Sequence, residues 1–367
     1  MPAPLDEYPV HQTPLPMDRV ATSDRNFYDR CYFNAHDRSG EIFLVTGLGV
    51  YPNLGVIDAY ATARCGDRQY AVQFSAALGE RSLQQRVGGY QIDVLDPLRE
   101  LRLSCHAPDG GVEFDLRWTG AFPAVQEEPH LLLAGQRPIV DASRFSQLGY
   151  WDGRLRVADR EFTVSADRWS GARDRSWGIR PVGEPEPPGR AAAEPLGGFW
   201  WLYAPLQFET CAVVVIMQEE PDGYRTLNDA KRIGKDGRVE QLGWPRAEIS
   251  YRPGSRHPES ARLQLTDPAG RPLTIELETV TSVPLHVGAG YSGDPDWSHG
   301  RWMGPEWTRS AVYDLTDPAV AARIPFGVTD HLARAWLDGE AGWGMFEHAS
   351  MGRHDPTGFG DWSSVAP

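Results

Sequence analysis

Cysteine is scarce in this chain, four in 367 residues. Cys31, Cys65, Cys105 and Cys211 lie far apart with no CxxC pair, so neither a disulfide-dense scaffold nor a zinc knuckle is indicated and reduced structural thiols are expected. Basic residues are also short, 36 Lys and Arg against 50 Asp and Glu, for a formal charge of −14. Such a surface repels phosphate backbones, and no Lys/Arg run interrupts it, so nucleic acid is not an expected partner. Apolar runs such as CAVVVIM at 211–217 fall far short of the roughly 20 residues of a membrane helix, and stable membrane insertion is not expected. The opening residues, MPAPLDEYPVHQTPLP, lack the basic start and apolar core of a secretory signal, which makes the cytoplasm the default location.

Several chemical signatures are missing too. There is no GxxxxGK[ST], no GxSxG and no HExxH, which lowers the weight of phosphate transfer, elbow-type hydrolysis and zincin chemistry. GLGVYP at 47–52 follows an apolar strand, but Pro52 takes the third glycine position of a dinucleotide fingerprint and no helix pattern follows. GAGYSG at 288–293 has the glycines, yet the DPDWSHGRWMGPEW after it cannot form the helix whose N-terminus would hold a pyrophosphate. Five histidines (His286, His299, His331, His348, His354) cluster late in the chain at irregular spacings that match no common ligand pattern, so neither a metal nor a cofactor is expected.

What the chain does have is a strand grammar. Hydrophobic residues make up 41% and charged residues 23%, enough apolar surface to offset chain entropy, and the length exceeds one usual core. In VEFDLRW, Val112, Phe114, Leu116 and Trp118 alternate with Glu113, Asp115 and Arg117, the pattern of a half-buried strand. Leu155 and Val157 lead through Ala158-Asp159 to Phe162 and Val164, and RLQL and LTIEL flank Asp267-Pro268-Ala269-Gly270, giving two hairpins. Helical periodicity is confined to pieces such as DPAVAARI, with Asp317 as N-cap and Pro318 at the first helical position. The spacing therefore predicts an all-β, mostly antiparallel chain, with its 38 glycines and 30 prolines in the turns.

One composition break, PVGEPEPPGRAAAEPLGG at 181–198, divides the chain into expected domains at 1–185 and 186–367. The segment from Trp200 to Arg232 loosely echoes that from Phe27 to Arg64. Each has an aromatic-rich start, an apolar strand, a turn with Gly and Tyr, and then Asp-Ala (Asp58-Ala59, Asp229-Ala230), as an internal duplication would.

Two segments carry the candidate chemistry. GARDRSWGIR at 171–180 sets Asp174 beside Arg173, Arg175 and Trp177. Burial against Trp177 would raise the Asp174 pKa and keep a proton available, whereas pairing with either arginine would lower it and make a structural clasp. PLHVGAGYSGDPDWSHGRWMG at 284–304 presents His286, Tyr291, Asp294, Trp297, His299 and Trp302 in a glycine-rich loop, either as binding groups at a barrel mouth or as a plain hydrophobic cap.

DRSWG before the linker, FSQLGYWDGRLRV ahead of it and the late GWGMFEH strand resemble the lipocalin-like superfamily that contains carotenoid hydratase, kievitone hydratase and AttH-type proteins, in an actinobacterial-like branch. The resemblance implies two tandem lipocalin-like (calycin) β-barrels or sandwiches with a ligand site between or within them. It further implies addition of water to isoprenoid or prenyl double bonds, or cyclisation, with Asp174 at the position of the family's acidic residue ahead of Trp-Gly. Arg175 stands where many relatives have His.

The resulting expectation is a cofactor-independent hydratase, isomerase or cyclase acting on a lipophilic terpenoid-, steroid- or polyketide-like molecule. Asp174 would donate a proton, His286 or His299 would position water or accept one, and Trp177, Tyr291, Asp294, Trp297 and Trp302 would contact substrate. The alternatives are a non-catalytic carrier of an apolar metabolite, which needs the aromatics but not Asp174, and a partner-docking protein using the Trp-rich stretch from 297 to 343. Limited proteolysis is expected to cut first within residues 181–198, which lack a pattern that would bury backbone; first cleavage inside VEFDLRW would contradict the boundary.

Overall fold

The computed structural model describes residues 4–9, 20–79, 83–107, 109–185, 197–291 and 294–367. The core of the linker, 186–196, and Ser292 and Gly293 of the glycine-rich loop lie outside the described residues. The chain is 61% strand and 4% helix, in two antiparallel sheets that curl into a half-barrel and a near-closed barrel, so the all-β reading holds.

Each sheet begins with a meander. In the first, Phe27–His36, Phe43–Tyr51, Val56–Cys65 and Arg68–Ala77 pair in order, and Ser170–Ile179 closes on the other side of Phe27–His36, followed by Arg137–Val157 and Val112–Gly120. In the second, Gly198–Gln207, Cys211–Glu219 and Arg225–Gly234 repeat the meander, and Glu340–Gly352 closes on Gly198–Gln207, followed by Thr329–Leu337 and Pro272–Pro284. The two segments that echo each other in sequence thus occupy equivalent places, and Asp58 and Asp229 fall in the third strand of each meander.

The hairpins and caps follow their sequence signals. Ala158 turns at φ 53° between Arg137–Val157 and Arg160–Val164, and Gly270 at φ 80° between Pro258–Thr266 and Pro272–Pro284. Asp317 caps the short helix Pro318–Ala321 by accepting from Ala319 N at 2.8 Å. All four cysteines are free, three of them buried. Among the described residues no helix is long and apolar enough to cross a membrane.

The halves also trade segments. Strand Glu306–Asp314, from the C-terminal half, pairs with Arg68–Ala77 at the edge of the first sheet. The loop ahead of it lies on that sheet: Thr62 Oγ1 and Gln73 Nε2 donate to Gly288 O at 3.1 and 2.9 Å. In return, the segment around Gln126–Ala134 lies on the second sheet, where Lys231 Nζ donates to Gln126 O at 2.8 Å and His130 stacks on Trp201.

This exchange buries the central strands on both faces, and their patterns lose the alternation seen in Val112–Gly120. In Phe27–His36 the odd residues Cys31, Phe33 and Ala35 enter the core of the first sheet. The even residue Tyr32 enters a separate cluster with Tyr60, Leu148, Trp201, Tyr203, Val283, Trp297, Leu332 and Met345, drawn from both halves. That shared layer is the seam between the sheets.

Gly49, in the rejected dinucleotide pattern, serves the seam rather than a phosphate. A Cβ there would lie 2.2 Å from Tyr51 Oη and 2.9 Å from Arg30 Cγ. Gly49→Ala is therefore expected to destabilise the protein by about 1–3 kcal/mol through overpacking, read as a lower urea midpoint at unchanged slope.

Candidate active site

Parity along Ser170–Ile179 decides where its charges go. Tyr32 is register partner to Asp174, and both face the seam; Arg173, Arg175 and Trp177, at odd positions, face the other way. The arginines do form a clasp, but with other acids: Arg173 Nη1 meets Glu7 Oε1 at 2.5 Å and Arg175 Nη1 meets Asp29 Oδ1 at 3.2 Å. Trp177 consequently does not wall Asp174.

The seam gives Asp174 different neighbours. From the C-terminal half, Asp330 and Glu347 are cross-strand partners in Thr329–Leu337 and Glu340–Gly352. Tyr32 Oη donates to Asp330 Oδ2 at 2.5 Å, and Trp201 Nε1 donates to Glu347 Oε1 at 2.5 Å. As cross-strand neighbours buried together, Asp330 and Glu347 cannot both ionise cheaply, and the Glu347 charge disfavours ionisation of Asp330. Arg144, two residues before the Ser146 that pairs with Asp174, holds Glu127 at 2.5 Å and lies 4.4 Å over the Tyr203 ring.

Electrostatics keeps protons here. Burial raises Asp174 to about 7, against the pull of Arg144 and with the push of Glu127 and Glu347. Burial and then the Glu347 charge hold Asp330 well above the ordinary carboxylate range, and burial raises Glu347 as well. Asp174, Arg144 and Tyr291 are half-buried, in contrast to the buried Tyr32 and Trp297 beside them.

Beside this acid cluster lies a second group. Arg30 sits 5.0 Å over the Tyr291 ring, and its Nη1 has no hydrogen-bond partner among the described residues. The rings of Tyr291 and Trp297 each stand 5.0 Å from that of His299, with Tyr60 at 5.1 Å. His299 lies 3.8 Å from Asp58, which accepts from Gly300 N at 2.6 Å and from Tyr51 Oη at 3.1 Å. Burial and Arg30 hold His299 well below its usual range, hence neutral, while burial lifts Asp58 to about 7.

The other sequence candidates go elsewhere. His286 Nε2 contacts Arg323 O at 2.6 Å, away from the acids. Asp294 organises its own loop, accepting from Gly288 N at 2.8 Å and pairing with Arg323 at 3.1 Å. Trp302 is 52% exposed, so it walls nothing, whereas Trp297 is fully buried in the seam; the Trp-rich stretch is not one surface. Among the described residues no three His, Cys, Asp or Glu side chains are placed to hold a metal ion.

Sequence reasoning missed Arg30, Tyr32, Asp58, Tyr60, Arg144, Trp201, Tyr203, Asp330 and Glu347. One signal was available: Asp29-Arg30, Asp330 and Glu347 interrupt strands that are otherwise apolar at both parities, as in FYDRCYF and GMFEH.

Residues 3–360 match the profile of a family of unknown function, DUF8625. No curated protein matches in sequence. Among solved structures, the chain is similar to kievitone hydratase from Nectria haematococca, at TM-score 0.53 and 12% identity over 88% of this chain and 89% of that one. An AttH-like protein from Nitrosomonas europaea gives TM-score 0.53 at 14% identity over 93% and 98% of the two chains. CghA with Sch210972 gives 0.53 at 13% over 95% and 97%. At these identities the likeness is one of fold.

The raised acids set a pH signature. With Asp174 and Asp58 near 7 in the native state and near 3.9 when unfolded, the native protein binds more protons across that window, so stability falls as pH rises from about 4 to 7. Asp174→Asn, which mimics the protonated form, is expected to match the wild type near pH 4 and exceed it by on the order of 1–3 kcal/mol at pH 8. Urea unfolding at both pH values checks this, and equal stabilities at pH 8 would contradict the raised value.

Proposed function

Since the chain belongs to DUF8625, its chemistry has to be read from its own residues, and we propose that it is a cofactor-independent acid–base enzyme of hydratase, isomerase or cyclase type acting on a lipophilic small molecule in the seam. The observation that carries this reading is the convergence of Asp174, Asp330 and Glu347, from two different sheets, on one aromatic-lined layer. Buried carboxyl groups cost stability, and binding an apolar molecule needs only shape and area. A carrier has no use for them; a proton donor does.

In this scheme Asp174, poised near neutral pH, gives its proton to an alkene carbon or a carbonyl oxygen of the substrate. Tyr203, Trp201, Tyr291 and Tyr60 supply π faces toward the positive charge that develops. A water or an adjacent C–H then loses a proton to a neighbouring carboxylate, and the proton returns to Asp174 through the cluster. The sum is addition of water, a double-bond shift or ring closure, with no change of oxidation state. Neutral His299 has a place beside the aromatic wall rather than as a cation. The hydratase among the proteins of similar fold supports this class of chemistry.

Native mass spectrometry of gently purified protein, seeking a co-purified small molecule, supplies the assay substrate. Asp174→Asn is then expected to stay folded and bind that molecule while turnover falls about a hundredfold or more. Intact turnover in this variant would remove Asp174 as the acid, and a wild type that returns the molecule chemically unchanged would make the protein a carrier.

A further inference from the structure

A cavity of about 250 Å³ opens where the two halves meet on the far side of strand Thr329–Leu337, lined by Arg64, Asp67, Arg252, His257, Ser282 and His331 among others. One water occupies roughly 30 Å³, so a tetrahedral anion fits with room for what it is attached to. Arg64 comes from the first sheet and is fixed across the junction, donating through Nη1 to Ser282 O at 2.8 Å and to Ser282 Oγ at 3.0 Å. Arg252 approaches from the second sheet, is exposed, and spends one contact on Thr279 Oγ1 at 3.3 Å. Against a chain of charge −14, two guanidinium groups facing one lining acid, Asp67, make a local concentration of positive charge.

The inner wall is more specific. His331 is 3% exposed, and its Nδ1 lies 3.0 Å from Phe346 O. A carbonyl only accepts, so Nδ1 carries the hydrogen and Nε2 carries a lone pair; Nε2 has no partner among the described residues. Burial keeps this ring neutral, reinforced by His257, His348 and Arg252, and His257 is itself lowered to about 4 by burial, Arg252, His286 and Arg64. The cavity therefore offers two cations at its rim, Arg64 held in place and Arg252 exposed, and an inner wall that includes a neutral histidine whose Nε2 has no partner among the described residues. A fully ionised anion satisfies the first and presents only another lone pair to the second.

We propose that this cavity binds a phosphate group that still carries an acidic proton, its charged oxygens on Arg64 and Arg252 and its O–H donated to His331 Nε2. Inorganic phosphate keeps at least one such proton throughout the neutral range, its monoesters, with a second ionisation at about pH 6, keep it in part, and sulfate has none. The site shares no group with the seam chemistry: His331 and Asp330 are consecutive residues on opposite faces of one strand.

The test is calorimetric titration of the full chain at pH 6.5 and matched ionic strength with inorganic phosphate, glycerol phosphate and sulfate. Phosphate is expected to bind at ~1 mM or tighter and sulfate at least about tenfold more weakly. Tighter binding of glycerol phosphate than of phosphate would identify the ligand as a phosphorylated metabolite, and the reverse order as the free ion. Arg252→Gln, an exposed change, is expected to weaken phosphate at least about tenfold, and His331→Met to abolish the preference over sulfate. No heat beyond that of sodium chloride, equal binding of phosphate and sulfate, or unchanged affinity in Arg252→Gln would each overturn the proposal.

Discussion

A strand buried on both faces has no solvent side to which it can turn a charge. Strands Phe27–His36, Ser170–Ile179, Gly198–Gln207 and Glu340–Gly352 are in that position, because one face meets the interior of their own sheet and the other meets the opposite half. A polar residue they carry then either finds a partner across a core or stays unpaired at a cost, as Arg30 Nη1 and the His36 ring do among the described residues. The clasp of Arg173 on Glu7 and the bond from Tyr32 to Asp330 are both answers to this one constraint.

The two halves answer it in parallel. Tyr32 faces Asp174 on the closing strand of the first sheet, and Tyr203 faces Glu347 on the closing strand of the second. Of the two tyrosines, Tyr32 donates across the seam to Asp330, whereas Tyr203 Oη has no hydrogen-bond partner among the described residues and carries Arg144 over its ring at 4.4 Å. Asp58 and Asp229 likewise each receive a backbone N–H from the segment lent by the other half, Gly300 N at 2.6 Å and Glu128 N at 3.1 Å. The parallel breaks where chemistry is proposed: one half holds Asp330 where the other has Ser146, so the acids are unequally divided around the seam.

That inequality has an energetic side. Arg144 sits beside the acids but is held by Glu127, so it only partly offsets the burial of Asp174. The buried acids thus cost the seam stability that an apolar version of the same packing would keep, a cost that the proposed chemistry would account for. The glycines of GLGVYP belong to the same arrangement, since a side chain at Gly49 would displace Tyr51 and Arg30 and one at Gly47 would meet the Cys31 backbone and the Tyr60 ring.

Local pattern was enough for much of the fold. Alternation in VEFDLRW, turn residues at Ala158 and Gly270, and the cap at Asp317 act over a few residues, so strand, hairpin and helix start were legible one segment at a time. Asp174 was legible as a buried acid, and Tyr291, Trp297 and His299 as a group. The partners of Asp174 were not, because strand parity sends Arg173, Arg175 and Trp177 to the opposite face and leaves Asp174 to residues more than 150 positions away in Thr329–Leu337 and Glu340–Gly352. Sequence determined which residues alternate and where the chain turns; only the stacking of one sheet on the other decided which charges share a layer, since that depends on contacts between segments whose separation along the chain carries no local signal.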